Sequence, residues 1–327
     1  MRAVAIGEDR SLEPRELPEP DPGEGQVRVR VAACGICGSD IHMRPSDQIP
    51  AGAVMGHELA GLIDAVGSGV EGWSEGDRVC VYPFEPLERH DLDAAMTSGI
   101  GMGAHQGGFA DAVCVDQSML WRLPEGFELE HGALVEPLAV ALHGLNLGEV
   151  ERGDPCLVIG AGPIGVMAAL ALRARGVERI AVVEKNESRR ERMERLGFDT
   201  VGLDEVHTAV PERLGELPRV VLECAGNPAA PGLAVELVAS SGRVVLLGML
   251  EEPVAISQLL LMLKEAQIRA SFAYRPGDFD EAIELLSTGA VPAERLVTGR
   301  EPLERAQEIF EQLEDPATEH VKVLLVP

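Results

Sequence analysis

The sequence predicts an α/β protein built from a β-rich domain and a doubly wound parallel sheet. Three observations predict it. The first third reads as short strands broken by Gly and Pro. From Leu134 onward, apolar strands alternate with helices. A glycine-rich turn, Gly160-Ala161-Gly162-Pro163-Ile164-Gly165, lies between such a strand and such a helix. At 327 residues the chain is too long for one core, so two domains follow.

Val27-Arg28-Val29-Arg30-Val31 alternates apolar and polar residues, as a half-buried strand does. Residues 59–66 and 78–82 give further strands, with turns at Gly67-Ser68-Gly69 and Glu75-Gly76-Asp77. Residues 83–108 are irregular and Gly-rich, and read as a long surface lobe with a possible helix at Asp91–Met96. A helix follows over 134–147. Then come a strand at 156–159, a helix at 164–175, a strand at 179–184 and a helix at 187–196. Later strands are expected at 219–223, 243–247 and 268–272. The tail gives helices at 279–286 and 303–313 and a strand at 321–326, which return to the first domain. The expected domains are therefore 1–136 with 274–327, and 137–273.

A formal net charge of −26 repels phosphate backbones and argues against a nucleic-acid partner. No run of 18 uncharged apolar residues is present, so no membrane span is expected. The N-terminus lacks the pattern of a secretory signal, which points to the cytoplasm. The cationic side chains are nearly all Arg, with lysine only at Lys185, Lys264 and Lys322. Six cysteines, scattered through a long chain, suit metal or catalytic use better than a disulfide framework.

The turn from Gly160 to Gly165 has the spacing of a dinucleotide fingerprint in its proper context. Gly160 permits a tight turn, Gly162 lets a pyrophosphate approach the backbone, and Gly165 lets the helix pack on the sheet. Pro163 and Ile164 open that helix, whose free N–H groups attract phosphate. Glu184, 19 residues after Gly165, can accept both ribose hydroxyls and repel a 2′-phosphate, which favours NAD over NADP. Arg189 or Arg190 is expected over the adenosine half. Ala225, Gly226, Leu247, Gly248, Met249, Phe272 and Ala273 complete the expected cofactor contacts.

Cys34-Gly35-Ile36-Cys37-Gly38-Ser39-Asp40-Ile41-His42 is dense in ligand-type residues, and Gly56-His57-Glu58 and Leu134-Val135-Glu136-Pro137 follow. Zinc takes thiolate, imidazole and carboxylate ligands, and a catalytic zinc keeps one position open. Two other readings stand beside this one. Cys34 and Cys37 form a C-x-x-C that can act as a redox pair. Glu136 can serve simply as an acid at a helix start. Cys80, Cys114, Cys156 and Cys224 lie in apolar strand contexts and are expected to pack.

The Cys37 and His57 segments, followed by the nucleotide fingerprint, resemble the zinc-dependent medium-chain alcohol dehydrogenases. Within them they resemble the polyol (sorbitol-type) and threonine dehydrogenase branch. The resemblance spans essentially the whole chain and implies a GroES-like β-rich domain with a Rossmann domain. It implies one catalytic zinc per chain on Cys37 and His57. Glu58 would be a direct ligand or a partner that swaps in, and Glu136 would bind directly or through water. Ser39 would hydrogen-bond the substrate hydroxyl, His42 would pass its proton to solvent, and Asp40 would orient His57. The implied activity is hydride transfer between a small secondary alcohol or polyol and NAD, in a homodimer or homotetramer associating near Val244 to Met249 and the segment after it. An amino-alcohol (threonine-like) dehydrogenase and a non-catalytic thiol sensor are the alternatives.

Three departures stand out. Many family members hold a second, structural zinc on four closely spaced cysteines, whereas residues 83–108 contain no Cys. That zinc is not expected here. The 20 residues from Cys37 to His57 are fewer than the family suggests, and Phe272-Ala273-Tyr274 replaces the Phe-Arg-Tyr usual in sorbitol-type enzymes. The shorter spacing implies a trimmed loop over the substrate cleft, which counts against carrying over the family's substrate, and the missing Arg weakens the case for sorbitol itself.

Overall fold

The structure is a computed structural model and describes residues 1–47, 49–84, 99–103, 105–315 and 318–327. The possible helix at Asp91–Met96 lies outside the described residues. The chain forms two compact units: Met1–Glu136 with Arg275–Pro327, and Pro137–Tyr274. The second boundary falls after Tyr274, one residue beyond the sequence expectation.

In the first unit, β1 (Arg2–Ile6) and β2 (Leu12–Glu16) form an antiparallel hairpin. The spine is β3 (Gln26–Gly35), whose alternation sends Val27, Val29 and Val31 into the core. After it come α1 (Gly38–Met43), β4 (Glu58–Val66), β5 (Arg78–Val81), β6 (Ala112–Asp116) and β7 (Leu120–Arg122). The unit is closed by the tail: α8 (Pro276–Ser287), β14 (Val297–Pro302), α9 (Ala306–Glu314) and β15 (Lys322–Val326). Among the described residues the larger sheet runs β14-β15-β3-β4-β5-β7, with β6 also on β3.

One pairing matters for function. One edge of β3 is divided between β6, along Gln26–Arg30, and β15, at Cys34 and Gly35. The last strand of the chain therefore lies beside the segment that leads into Cys37. The core here gathers β-strand valines with Phe109 and Phe310, whose rings meet edge-on at 6.0 Å. Ile309 and Phe310 are the buried stripe of α9.

The chain enters the second unit along α2 (Val135–Leu147). There follow β8 (Cys156–Ile159), α3 (Pro163–Ala174), β9 (Ile180–Val183), α4 (Glu187–Arg195), β10 (Asp199–Val201), α5 (Val206–Leu214), β11 (Val220–Glu223), α6 (Ala230–Leu237), β12 (Arg243–Leu246), α7 (Gln258–Lys264) and β13 (Gln267–Ala270). The sheet is parallel throughout, in the order β10-β9-β8-β11-β12-β13. Its central strands are apolar along their whole length because helices cover both faces. The order reverses between β8 and β11, which is where such sheets bind ligands, outside the carboxyl ends of the strands.

The expected association region is Val244 to Met249 and the segment after it. Arg243–Leu246 is paired on both sides, by β11 and β13. On that side the sheet ends at Gln267–Ala270, within the segment after it.

Candidate metal centre and dinucleotide site

Three turns of local geometry build the metal centre in the first unit. Gly56 takes φ +97°, a left-handed conformation suited to glycine, and a Cβ there would strike Phe109 and the Cys34 sulfur. That turn sets up His57 and then Glu58, the first residue of β4. Across the ladder Glu58 faces Gly35, where a Cβ would lie 2.2 Å from Glu58 Oε2. Gly35 is glycine because the Glu58 carboxylate occupies its side-chain space. Cys37 caps α1, and its N–H donates to Oδ2 of Asp40 at 2.9 Å, holding the loop to the helix.

The result is a convergence of Cys37, His57 and Glu58, whose ligand atoms all lie within 4.8 Å of one another. His57 and Glu58 are buried, while Cys37 is half-buried. Thiolate, imidazole and carboxylate form a donor set that suits zinc with a position to spare. Glu136 is buried too, but it is not part of that group.

Asp40 stands 3.4 Å from His57 Nδ1 through Oδ1. That is long for a hydrogen bond, and neither atom has another partner, so the contact is chiefly electrostatic. Burial disfavours a charged His57, but Asp40 and Cys37 outweigh it and hold the imidazole pKa well above its ordinary value. A cation among these groups would reverse that balance by requiring neutral imidazole. Ser39 Oγ lies 3.3 Å from His57 Nε2, at the same centre. His42 is exposed, and its Nδ1–H donates to Gly38 O at 2.7 Å, leaving Nε2 free to accept.

The sequence analysis missed Lys322. This first residue of β15 is buried, and its Nζ donates to Oε1 of Glu58 at 2.7 Å and to the Ile36 carbonyl at 2.9 Å. Burial disfavours the ammonium, but Glu58, Cys37 and Glu136 raise its pKa above the ordinary lysine value. The signal was present: a lysine inside the apolar run Val321 to Val326, in a chain with three lysines.

The cysteines divide sharply. Burial raises the thiol pKa of Cys34, Cys80 and Cys224, that of Cys114 to about 11 and that of Cys156 to about 12. Cys34 is 0% exposed, which makes it a poor nucleophile for a Cys34–Cys37 switch. All six are free thiols.

In the second unit, the turn after β8 has the geometry its glycines require. Gly160 has φ +98°. A Cβ on Gly165 would fall 1.9 Å from the Gly160 carbonyl. A Cβ on Gly162 would meet no described protein atom within 4 Å, so packing gives no reason for glycine there, whereas close approach of a ligand does. Gly162 caps α3, with Pro163 in its first turn and Ile164 after it. Glu184 is buried directly after β9, accepting the N–H of Ala161 at 2.8 Å and of Asn186 at 2.9 Å. Arg190 is committed to the Glu184 and Lys185 carbonyls, each at 2.9 Å, while Arg189 lies in the first turn of α4.

In the other half of this sheet, Ala225, Gly226, Leu247 and Gly248 meet around Glu223. Glu223, at the end of β11, accepts the N–H groups of Ala225 at 2.8 Å and Gly226 at 3.0 Å. A Cβ on Gly248 would press on Gly226, while Leu247 N bonds the Glu223 carbonyl at 2.8 Å. Met249 is 54% exposed and Phe272 50% exposed. Ala273 has φ +53°, a conformation costing an L-residue about 1 kcal/mol.

A Rossmann unit and a GroES-like β unit carrying a Cys-His-Glu centre, in one chain, define a zinc-type nucleotide-dependent dehydrogenase. Comparison agrees. Residues 23–125 match the alcohol dehydrogenase GroES-like domain, and residues 163–288 match the zinc-binding dehydrogenase domain. The chain belongs to the zinc-dependent medium-chain alcohol dehydrogenase family and is an oxidoreductase of that type. It is 32% identical to (R,R)-butanediol dehydrogenase of Bacillus subtilis, over 91% of each chain. It is also 32% identical to human sorbitol dehydrogenase, over 90% of this chain and 87% of that one.

Among solved structures, 2R,3R-butanediol dehydrogenase from Bacillus subtilis superposes with a TM-score of 0.92 at 31% identity, covering 100% of this chain and 99% of that one. A zinc-binding dehydrogenase from Sinorhizobium meliloti bound to NADP and an alcohol dehydrogenase from E. coli complexed with NADH each give 0.89 at 29%, with the same coverage. Among the described residues, no helix is long and apolar enough to cross a membrane.

Proposed function

We propose that the chain oxidises a small secondary alcohol or polyol with NAD, on a single zinc ion held by Cys37, His57 and Glu58. The observation that carries this is the convergence of those three side chains beside Ser39. When bound, zinc supplies Lewis acidity at the alcohol oxygen and NAD accepts the hydride. The chain's own residues supply the rest. Asp40 orients His57 from behind. Ser39 hydrogen-bonds the substrate hydroxyl and takes its proton onward, and exposed His42 passes it to solvent. Glu136, buried at the start of α2, would bind the ion through water, as the family resemblance implies.

The first unit is the catalytic domain in this reading and the second the NAD domain. Glu184 supports NAD over NADP, since an acid just after β9 is placed to accept the adenosine ribose hydroxyls and to repel a 2′-phosphate there. No second, structural zinc is proposed, because residues 83–108 offer no cysteine. Six free thiols suit a reducing cytoplasm. The protein is proposed to act as a homodimer or homotetramer through the β13 edge and α7, whose Leu259, Met262 and Leu263 are 67%, 67% and 72% exposed.

The test is turnover of purified, zinc-quantified protein on butanediol, sorbitol, propan-2-ol and threonine with NAD and with NADP. NAD-dependent oxidation of a diol or secondary alcohol is expected. Turnover of threonine alone, or none with one zinc bound per chain, contradicts the reading.

A further inference from the structure

Lys322 and Glu58 form an ion pair with almost no access to water: their side chains are 2% and 0% exposed. Nζ hydrogen-bonds Oε1 at 2.7 Å and lies 2.6 Å from Oε2, which has no hydrogen-bond partner, so one ammonium holds Oε1 by a hydrogen bond and Oε2 by charge alone. The Ile36 carbonyl takes a further donor and fixes where the ammonium sits. Gly35 leaves the room for this arrangement, since a Cβ there would strike Glu58 Oε2 and the Lys322 stem. Yet Glu58 is the same carboxylate that stands with Cys37 and His57.

A carboxylate cannot serve an ammonium and a divalent cation independently. The lone pairs are shared, and the two cations repel one another across a dry site, where charges interact strongly. We infer that Lys322 restrains the carboxylate ligand: by holding Oε1 with a hydrogen bond and drawing on Oε2 by charge it weakens the grip of Glu58 on zinc and keeps that ligand exchangeable. This rests on the zinc reading above. It differs from a purely architectural role for the ion pair in the sign of its effect. If Lys322 merely props up the site, removing it loosens the metal. If it restrains Glu58, removing it tightens the metal.

The experiment measures zinc content first, then the rate of zinc release from the full-length protein into a chelating dye, for wild type, Lys322→Met and the double variant Lys322→Met/Glu58→Gln. Cobalt-substituted visible spectra report the ligand set independently of activity. Partners beyond the ligands commonly change metal affinity on the order of 10–100-fold. Here Lys322→Met is expected to release zinc on the order of tenfold more slowly, with a changed cobalt spectrum, and the double variant to lose that gain. If Lys322→Met does not fold, Lys322→Gln, which keeps a donor for Ile36, carries the same expectation. Release as fast as wild type or faster overturns the inference, as does a double variant that keeps the slow release. A folded wild type that holds no zinc at the outset overturns the zinc reading itself, and this inference with it.

Discussion

The carboxylate of Asp40 stands 3.4 Å from Nδ1 of His57 while its other oxygen accepts the amide of Cys37 at 2.9 Å. One buried side chain thus orients two of the three groups that face the metal centre. Asp40→Asn keeps an acceptor for the Cys37 amide but removes the negative charge behind His57. It is expected to weaken zinc binding about 10–100-fold with little loss of fold. Competition against a chelator measures this, and unchanged zinc affinity contradicts the role.

Glu184 accepts two backbone N–H groups at the nucleotide turn. Glu184→Ala leaves those donors unpaired and removes the charge that repels a 2′-phosphate. The KM for NAD is expected to rise by about 10–100-fold, from hydrogen bonds to a charged group worth about 1.5–3 kcal/mol, while discrimination against NADP relaxes. Steady-state kinetics with both cofactors decides it. An unchanged NAD:NADP ratio places the discrimination elsewhere.

The thiols give a pH-dependent expectation. A thiol reacts as its thiolate, and burial raises Cys114 to about 11 and Cys156 to about 12. At pH 8 only about one Cys114 in a thousand is ionised, and the fraction climbs about tenfold per pH unit towards 11. Iodoacetamide mapped by mass spectrometry should therefore modify half-exposed Cys37 in metal-stripped protein at pH 8. Cys114 should follow as pH rises, while Cys156, 0% exposed, stays unmodified as long as the protein is folded. A reversible Cys34–Cys37 disulfide would instead revive the thiol-sensor reading.

The α7 surface tests assembly. Leu263→Glu places a charge on a helix whose Met262 and Leu263 are exposed beside the edge strand β13. Light scattering should show a smaller particle with far-UV circular dichroism preserved. An unchanged mass removes this surface from the interface.

Local features were legible in the sequence, and long-range ones were not. The turn at Gly160 shows its chemistry in its spacing and context, while the segment from Cys37 to His42 is dense in ligand-type residues whose roles the family resemblance implied. Short elements such as α6 and β10 were missed because they span too few residues to show a period. Lys322 was invisible as a partner because 264 positions separate it from Glu58, and only the pairing of β15 with β3 joins them. Which strand of the Val244-to-Met249 region and the segment after it forms the sheet edge was open for the same reason: strand order is a tertiary property, and β13 covers β12.

The central claim is a zinc ion bound by one sulfur and by nitrogen and oxygen from Cys37, His57 and Glu58. X-ray absorption at the zinc edge of the purified protein tests it most directly. The expected spectrum has one sulfur at about 2.3 Å and lighter ligands at about 2.0–2.2 Å, one ion per chain, with the signal lost in Cys37→Ala. A shell of four sulfurs, or a folded Cys37→Ala that keeps its zinc, contradicts the account.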